Sequence, residues 1–183
     1  MALHRFNLLE RLLSRNPELK EEYHKFVAEY LSLGHMRRVR ADDDSHSYAY
    51  YLPYHPVVKE SSKTTKVRVI FDASVKTGFS QNEALLVGPV VQDDLLSIIL
   101  RFRTFPVALV GYIAKMYRQV LGQPDDTACQ RIMWRFDPAA PVERYELQMV
   151  TYGLSPSSFL VNRTLQQLAA DEGDSYPLEK PAL

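Results

Sequence analysis

The chain has 183 residues, enough to bury one core, and its 46% apolar and 24% charged content is that of an ordinary globular protein. Its 22 basic and 22 acidic side chains cancel, so no net field draws the whole molecule onto nucleic acid or an anionic membrane, and any polyanion site has to be local. Cys129 stands alone, which excludes intrachain disulfides and multi-cysteine metal sites and fits a reducing, intracellular and cytoplasmic setting.

Leu3, Phe6, Leu9 and Leu13 recur at helical spacing. His4, Arg5, Glu10 and Arg11 interrupt them, so the apolar stretch of a signal peptide is missing. A second helix is announced by Asn16 as N-cap and Pro17 at the first position, with Gly34 at its end. Its apolar stripe is Leu19, Tyr23, Phe26, Val27, Tyr30 and Leu31. Arg37, Arg38 and Arg40 followed by Asp42, Asp43 and Asp44 read as a solvated linker.

Residues 48–52 are β-prone, Pro53 and Pro56 act as breakers, and a polar loop over 59–66 leads to a strand over 67–71, giving a hairpin-like pair. Gly78 marks a turn, and Asp93 or Asp94 caps a helix running through Phe102. Pro106 opens an apolar strand over 107–113. The apolar run containing it, 105–114, is about half the roughly 20 residues that span a bilayer, so no membrane partner is expected. Strands over 130–136 and 144–150 flank a turn with Asp137, Pro138 and Pro141, as in an antiparallel hairpin. Ser155 as N-cap and Pro156 start a last helix, with Phe159, Leu160, Leu165 and Leu168 toward the core. Trp134 and Tyr145 read as core residues. The irregular mixture of helices and strands predicts an α+β architecture rather than a doubly wound sheet.

No phosphate-cradling glycine loop, H-E-x-x-H pair or G-x-S-x-G elbow is present. The five histidines, at 4, 24, 35, 46 and 55, form no i, i+4 metal pair and read as surface or structural residues.

The stretch YLPYHPVVKESSKTTKVRVIFDAS (51–74) resembles the fingers segment of reverse transcriptases from Pao/BEL-type LTR retrotransposons. The resemblance continues through NEALLVGPVVQDDLLSIILRFR (82–103), KMYRQVLGQPDD (115–126), QRIMWRFDP (130–138) and YELQMVTYGL (145–154), in the family's order, and the leading helix NPELKEEYHKFVAEYLSLGHM fits as well. It implies a right-hand polymerase fold divided into an N-terminal helical segment (1–40), a fingers-like segment (41–106) and a partial palm-like segment (107–183), together one incomplete domain. The activity implied is RNA-directed DNA polymerisation with Mg2+, and the implied partner is RNA or an RNA–DNA hybrid held through the fingers. An incomplete palm leaves an apolar face exposed, so self-association through that face is expected.

Two-metal nucleotidyl transfer needs anionic oxygen ligands. Where the family reads A-D-I-E-K-M-Y, this chain reads Gly111-Tyr112-Ile113-Ala114-Lys115-Met116-Tyr117. Tyr117 matches the aromatic that packs under the incoming sugar, but Tyr112 occupies the metal-binding aspartate position and Ala114 replaces an acid. A neutral phenol is a poor substitute for a carboxylate on magnesium. The family's tyrosine-x-Asp-Asp motif is expected after the last helix, and the sequence reaches Leu183 without it. No catalytic residue set is therefore intact, and neither a bound metal nor catalysis is expected of the chain alone. Asp93-Asp94 and Asp125-Asp126 read as a helix cap and a turn. Contact candidates for nucleotide or nucleic acid are Lys63, Lys66, Arg68, Tyr117 and Gly153, whereas Asp72 and Ser74 read as turn formers. Around Gly153 the chain runs YGLSPSSF (152–159), where the family pattern expects a small residue at Pro156 and a proline near Ser158. The alternatives to a silent polymerase fragment are a non-catalytic module that keeps primer-template contacts, and a fragment complemented by another chain.

Overall fold

The computed structural model describes residues 2–40, 48–59, 61, 66–76, 78–104, 106, 107 and 110–175. Two helices come first, α1 (Ala2–Arg15) and α2 (Pro17–Ser32), and the stripes read from the sequence face inward except at Leu3, which is exposed near the start of α1. Phe6, Leu9 and Leu13 of α1 and Tyr23, Val27 and Tyr30 of α2 are buried, with Leu19, Phe26 and Leu31 packed at the margin. Asn16 holds the N-cap position of α2 but makes no cap; its amide donates back to the Leu12 carbonyl. At the other end Gly34 adopts φ +68°, and the N–H groups of Gly34 and His35 donate to Leu31 and Tyr30 carbonyls, a Schellman closure.

The supposed linker then begins as a strand, β1 (Met36–Arg38). The sheet order is β1-β5-β4, where β4 is Arg131–Trp134 and β5 is Glu143–Leu147, all antiparallel. The expected hairpin is thus present, with shorter strands. Local reading missed β1 because three residues with two exposed arginines carry no strand pattern; β1 exists because β5 offers it an edge. The acidic residues 42–44 lie outside the described residues.

Sheet and helices close around Trp134, which is edge-on to Phe6 and stacked on Tyr23 at ring separations of 6.2 and 6.0 Å. Tyr145 is buried in the same core. Arg135 chelates Glu10 with two 2.7 Å hydrogen bonds, clamping α1 to the end of β4. Within the sheet, fully buried Arg131 and Glu146 pair at 3.0 Å, and Glu146 also accepts from Arg37 at 2.9 Å and Thr127 at 2.7 Å. One carboxylate thereby joins all three strands.

A second, two-stranded antiparallel sheet consists of β2 (Tyr54–Val58) and β3 (Val67–Phe71). The paired strand is 54–58, not the 48–52 stretch, and it runs straight through Pro56. An edge strand tolerates a missing N–H. Residues 50–52 instead lie along β4, with Leu52 N–H donating to Arg131 O and a parallel bridge at Tyr51.

The short helix α3 (Gln81–Ala84) carries a full capping box between Ser80 and Glu83. Helix α4 (Leu95–Arg103) starts where expected, with the Asp94 carboxylate accepting from Ser97 N–H at 3.0 Å. The apolar strand expected over 107–113 is not seen at its described residues: 107 and 110–113 have no strand assignment, Val110 and Tyr112 are exposed, and residues 108 and 109 lie outside the described residues. Apolar side chains favour a strand only when neighbouring strands pair with it, and among the described residues none does. Helix α5 (Ser157–Glu172) begins one residue later than an N-cap at Ser155 implies, with Pro156 at the N-cap. Its buried residues are Ser157 and Val161, while Phe159 and Leu165 are half-buried and Leu160 and Leu168 exposed, a correction to the expected face. The architecture is mixed helix and antiparallel sheet, compatible with α+β.

Candidate nucleic-acid interface

On β3 the residues Val67, Val69 and Phe71 turn toward the core and Arg68 turns outward, as the two-residue strand period requires. Arg68 pairs in register with half-exposed Val57 on β2, and Lys66 sits exposed at the start of β3, where its carbonyl accepts from Lys59 N–H at 2.8 Å. Lys63 lies outside the described residues. The open face of this hairpin is therefore basic at the end away from the core.

At the other end of β3, Phe71 meets a group of residues that are remote in sequence. Gly153 has φ +91°, and a Cβ there would overlap the Phe71 carbonyl oxygen. Glycine is required by both the dihedral and the space. The Gly153 carbonyl accepts from Asn82 Nδ2 at 3.0 Å, and the Asn82 side-chain oxygen accepts from Ser155 N–H at 2.8 Å. These bonds tie α3 to the turn before α5 and account for Ser155, which fixes that turn instead of capping the helix. Tyr152 lies against Phe71 at 5.3 Å between rings and donates its hydroxyl to the Val69 carbonyl at 2.5 Å. Burial pushes its phenol well above the ordinary tyrosine range.

Tyr117 joins this group from a 3-10 turn, Met116–Gln119. Its ring stands edge-on to Tyr152 at 6.5 Å, and its hydroxyl is 3.3 Å from Ser158 Oγ. The turn is held to α2 by a cluster that sequence reading missed. Glu29 receives Lys115 Nζ at 2.5 Å and Arg118 Nη2 at 2.9 Å, and the Arg118 guanidinium lies 4.4 Å over the Tyr30 ring. Hydrogen bonds from Lys115 and Arg118 outweigh burial and hold the Glu29 carboxyl below its usual range. No local signal marks this cluster, since its members lie on α2 and on a turn more than 80 residues away.

The structure thus brings Tyr117 and Gly153 together at one end of β3 and leaves Lys66 and Arg68 toward the other. Arg68 and Phe71 are three residues apart, roughly 10 Å along an extended strand. Tyr112 stays outside this arrangement, 90% exposed in an irregular segment. Asp125 and Asp126 occupy the first turn of the 3-10 helix Pro124–Gln130, and Asp72 forms a turn by accepting from Ser74 N–H at 3.1 Å. Among the described residues no three His, Cys, Asp or Glu side chains gather as a metal would require, and a lone exposed phenol does not fit a magnesium pair. No described helix is long and apolar enough to cross a membrane. The chain matches no protein-family model and no curated protein sequence at a significant level.

Proposed function

We propose that the chain is a reverse-transcriptase-like fragment that does not polymerise and retains a surface for primer-template or nucleotide. What supports this reading is the outward-facing basic pair Lys66 and Arg68 on β3; Tyr117, with Tyr152 and Gly153, gathers at the far end of the same strand, on the side of Phe71. Cations on one side of a hairpin serve phosphates, while the partly exposed Tyr117 ring offers a face for a sugar or base. Catalytic silence follows from Tyr112, whose phenol stands where the resembling family holds its first metal ligand.

The test is a fluorescence-anisotropy titration with an RNA–DNA primer-template at two salt concentrations, beside a magnesium-dependent primer-extension assay. The expected result is saturable, salt-sensitive binding without extension. Extension by the purified chain, or no binding by demonstrably folded protein, overturns the reading.

A further inference from the structure

Helix α4 is the most conspicuous surface not used by this reading. Its nine residues, LLSIILRFR, include six large apolar side chains, and none of the nine is buried. Leu95, Leu96 and Leu100 are 72, 66 and 57% exposed, and Ile98, Ile99 and Phe102 are between 41 and 49% exposed. Leu95, Ile98, Ile99 and Phe102 fall at i, i+3, i+4 and i+7, a continuous stripe of the kind that packs against another helix. An uninterrupted apolar stripe left in water favours association.

The charges flanking the stripe select the occupant. The acids Asp93 and Asp94 lie at the N-terminal end, and Arg101 and Arg103 lie in the last turn. Asp93, just before the N-cap, and Arg101 bridge each other at 2.6 Å within one copy, both more than half exposed and open to a second partner. Arg103 has no ion pair among the described residues. A copy of α4 crossing antiparallel, with the two-fold axis near the central Ile99, sets each acidic end beside the other's arginine end and opposes the two helix dipoles favourably. A parallel pair would set like charges side by side.

We propose that α4 is the self-complementary contact of a homodimer, two copies of the chain packing their Leu95–Ile98–Ile99–Phe102 stripes antiparallel. This contact stands apart from the nucleic-acid surface on β3 and does not depend on it. It places self-association on the segment before the palm-like region, not on the palm-like face itself.

Sedimentation equilibrium of the full chain across the micromolar range tests it. Wild type should fit a reversible monomer–dimer equilibrium, and Ile98→Glu with Ile99→Glu should weaken the dimer at least about tenfold, roughly 1.4 kcal/mol. Both side chains are substantially exposed, and far-UV circular dichroism verifies that the monomer stays folded. Asp93→Arg, which leaves the Asp94 cap intact, should weaken self-association, and mixing that variant with Arg101→Asp plus Arg103→Asp should restore a dimer. In a Cys129→Ser background, Ile99→Cys should cross-link to itself under oxidation and Leu95→Cys should not. A monomer throughout, open-ended aggregation without a dimer, or a dimer indifferent to these substitutions overturns the proposal.

Discussion

Arg118 donates its Nε hydrogen to Nδ1 of His35 at 3.0 Å, so His35 is held as a neutral imidazole with its proton on Nε2. The same guanidinium grips Glu29 and covers Tyr30, so Arg118 joins His35, α2 and the turn that carries Tyr117. Burial and the neighbouring Arg118 both push the His35 pKa below its ordinary 6.5, and Lys115 adds to this while Glu29 opposes it. A depressed folded value means that the stabilisation is complete above the unfolded pKa and is lost as pH falls through the folded one. NMR titration should show His35 protonating below pH 6.5, with the Tyr117 resonances shifting in step. In Arg118→Met the titration should move up toward the ordinary value. An unshifted midpoint in both proteins would contradict the assignment.

Gly153 and Gly78 separate strain from contact. Both have positive φ, +91° and +99°, but a Cβ at Gly78 meets open space while one at Gly153 meets the Phe71 carbonyl. Gly78→Ala should cost about 1 kcal/mol in urea unfolding, the conformational penalty alone. Gly153→Ala should cost about 2–3 kcal/mol or more, because backbone on β3 must also move. Equal costs would show that the turn can withdraw from β3.

The buried pair Arg131–Glu146 should be expensive to break from one side. Glu146→Gln leaves a fully buried guanidinium without its counter-charge, a loss of about 3–5 kcal/mol, whereas Arg37→Ala, at the half-exposed arm of the same network, should cost under about 1 kcal/mol. Burial alone would raise the Glu146 carboxyl, but the bonds from Thr127, Arg131 and Arg37 outweigh it and keep it below 4.5. Its contribution is present above that value and disappears as pH falls through the lower folded one. Denaturation midpoints between pH 5 and pH 3 should drop more steeply in wild type than in the Gln variant.

On the nucleic-acid surface, Lys66→Ala and Arg68→Ala should each weaken primer-template binding a few-fold and reduce the salt slope by about one unit. Tyr117→Ala should weaken binding with no change in that slope, since stacking releases no counterions. Tyr112→Asp should not create extension activity, because it adds one carboxylate on an exposed irregular segment, and among the described residues no group of three His, Cys, Asp or Glu side chains gathers to hold a metal pair. Primer extension by the Tyr112→Asp protein would overturn this.

Local order was readable wherever a local rule governs it. The inward stripes of α1 and α2, the closure at Gly34, the Asp94 cap and the β4–β5 pairing all depend on residues within a few positions of each other. What escaped depends on remote partners: β1 is a strand only because β5 accepts it, the described residues 107 and 110–113 are not one because no described strand accepts them, and α4 is rich in apolar residues yet buries none. The site divides in the same way. Lys66, Arg68, Tyr117 and Gly153 were picked out by residue type and by resemblance. The Glu29–Arg118–His35 cluster that positions Tyr117 is assembled from two distant stretches and leaves no mark on either.

The pairing of β1 with β5 has a temporal side. Arg37 and Glu146 are 109 positions apart, and a ribosome adding about 5–20 residues per second takes roughly 5 to 20 seconds to make the intervening chain. Through most of that interval α1 and α2 are already able to coil, while of the three-stranded sheet only the edge strand β1 has been made, and β4 gains its connection to β1 only when β5 follows. The nascent protein therefore passes through a long stage as a sticky helical pair, and its yield in cells should depend on chaperones that shield Phe6, Tyr23 and Val27 until β5 emerges.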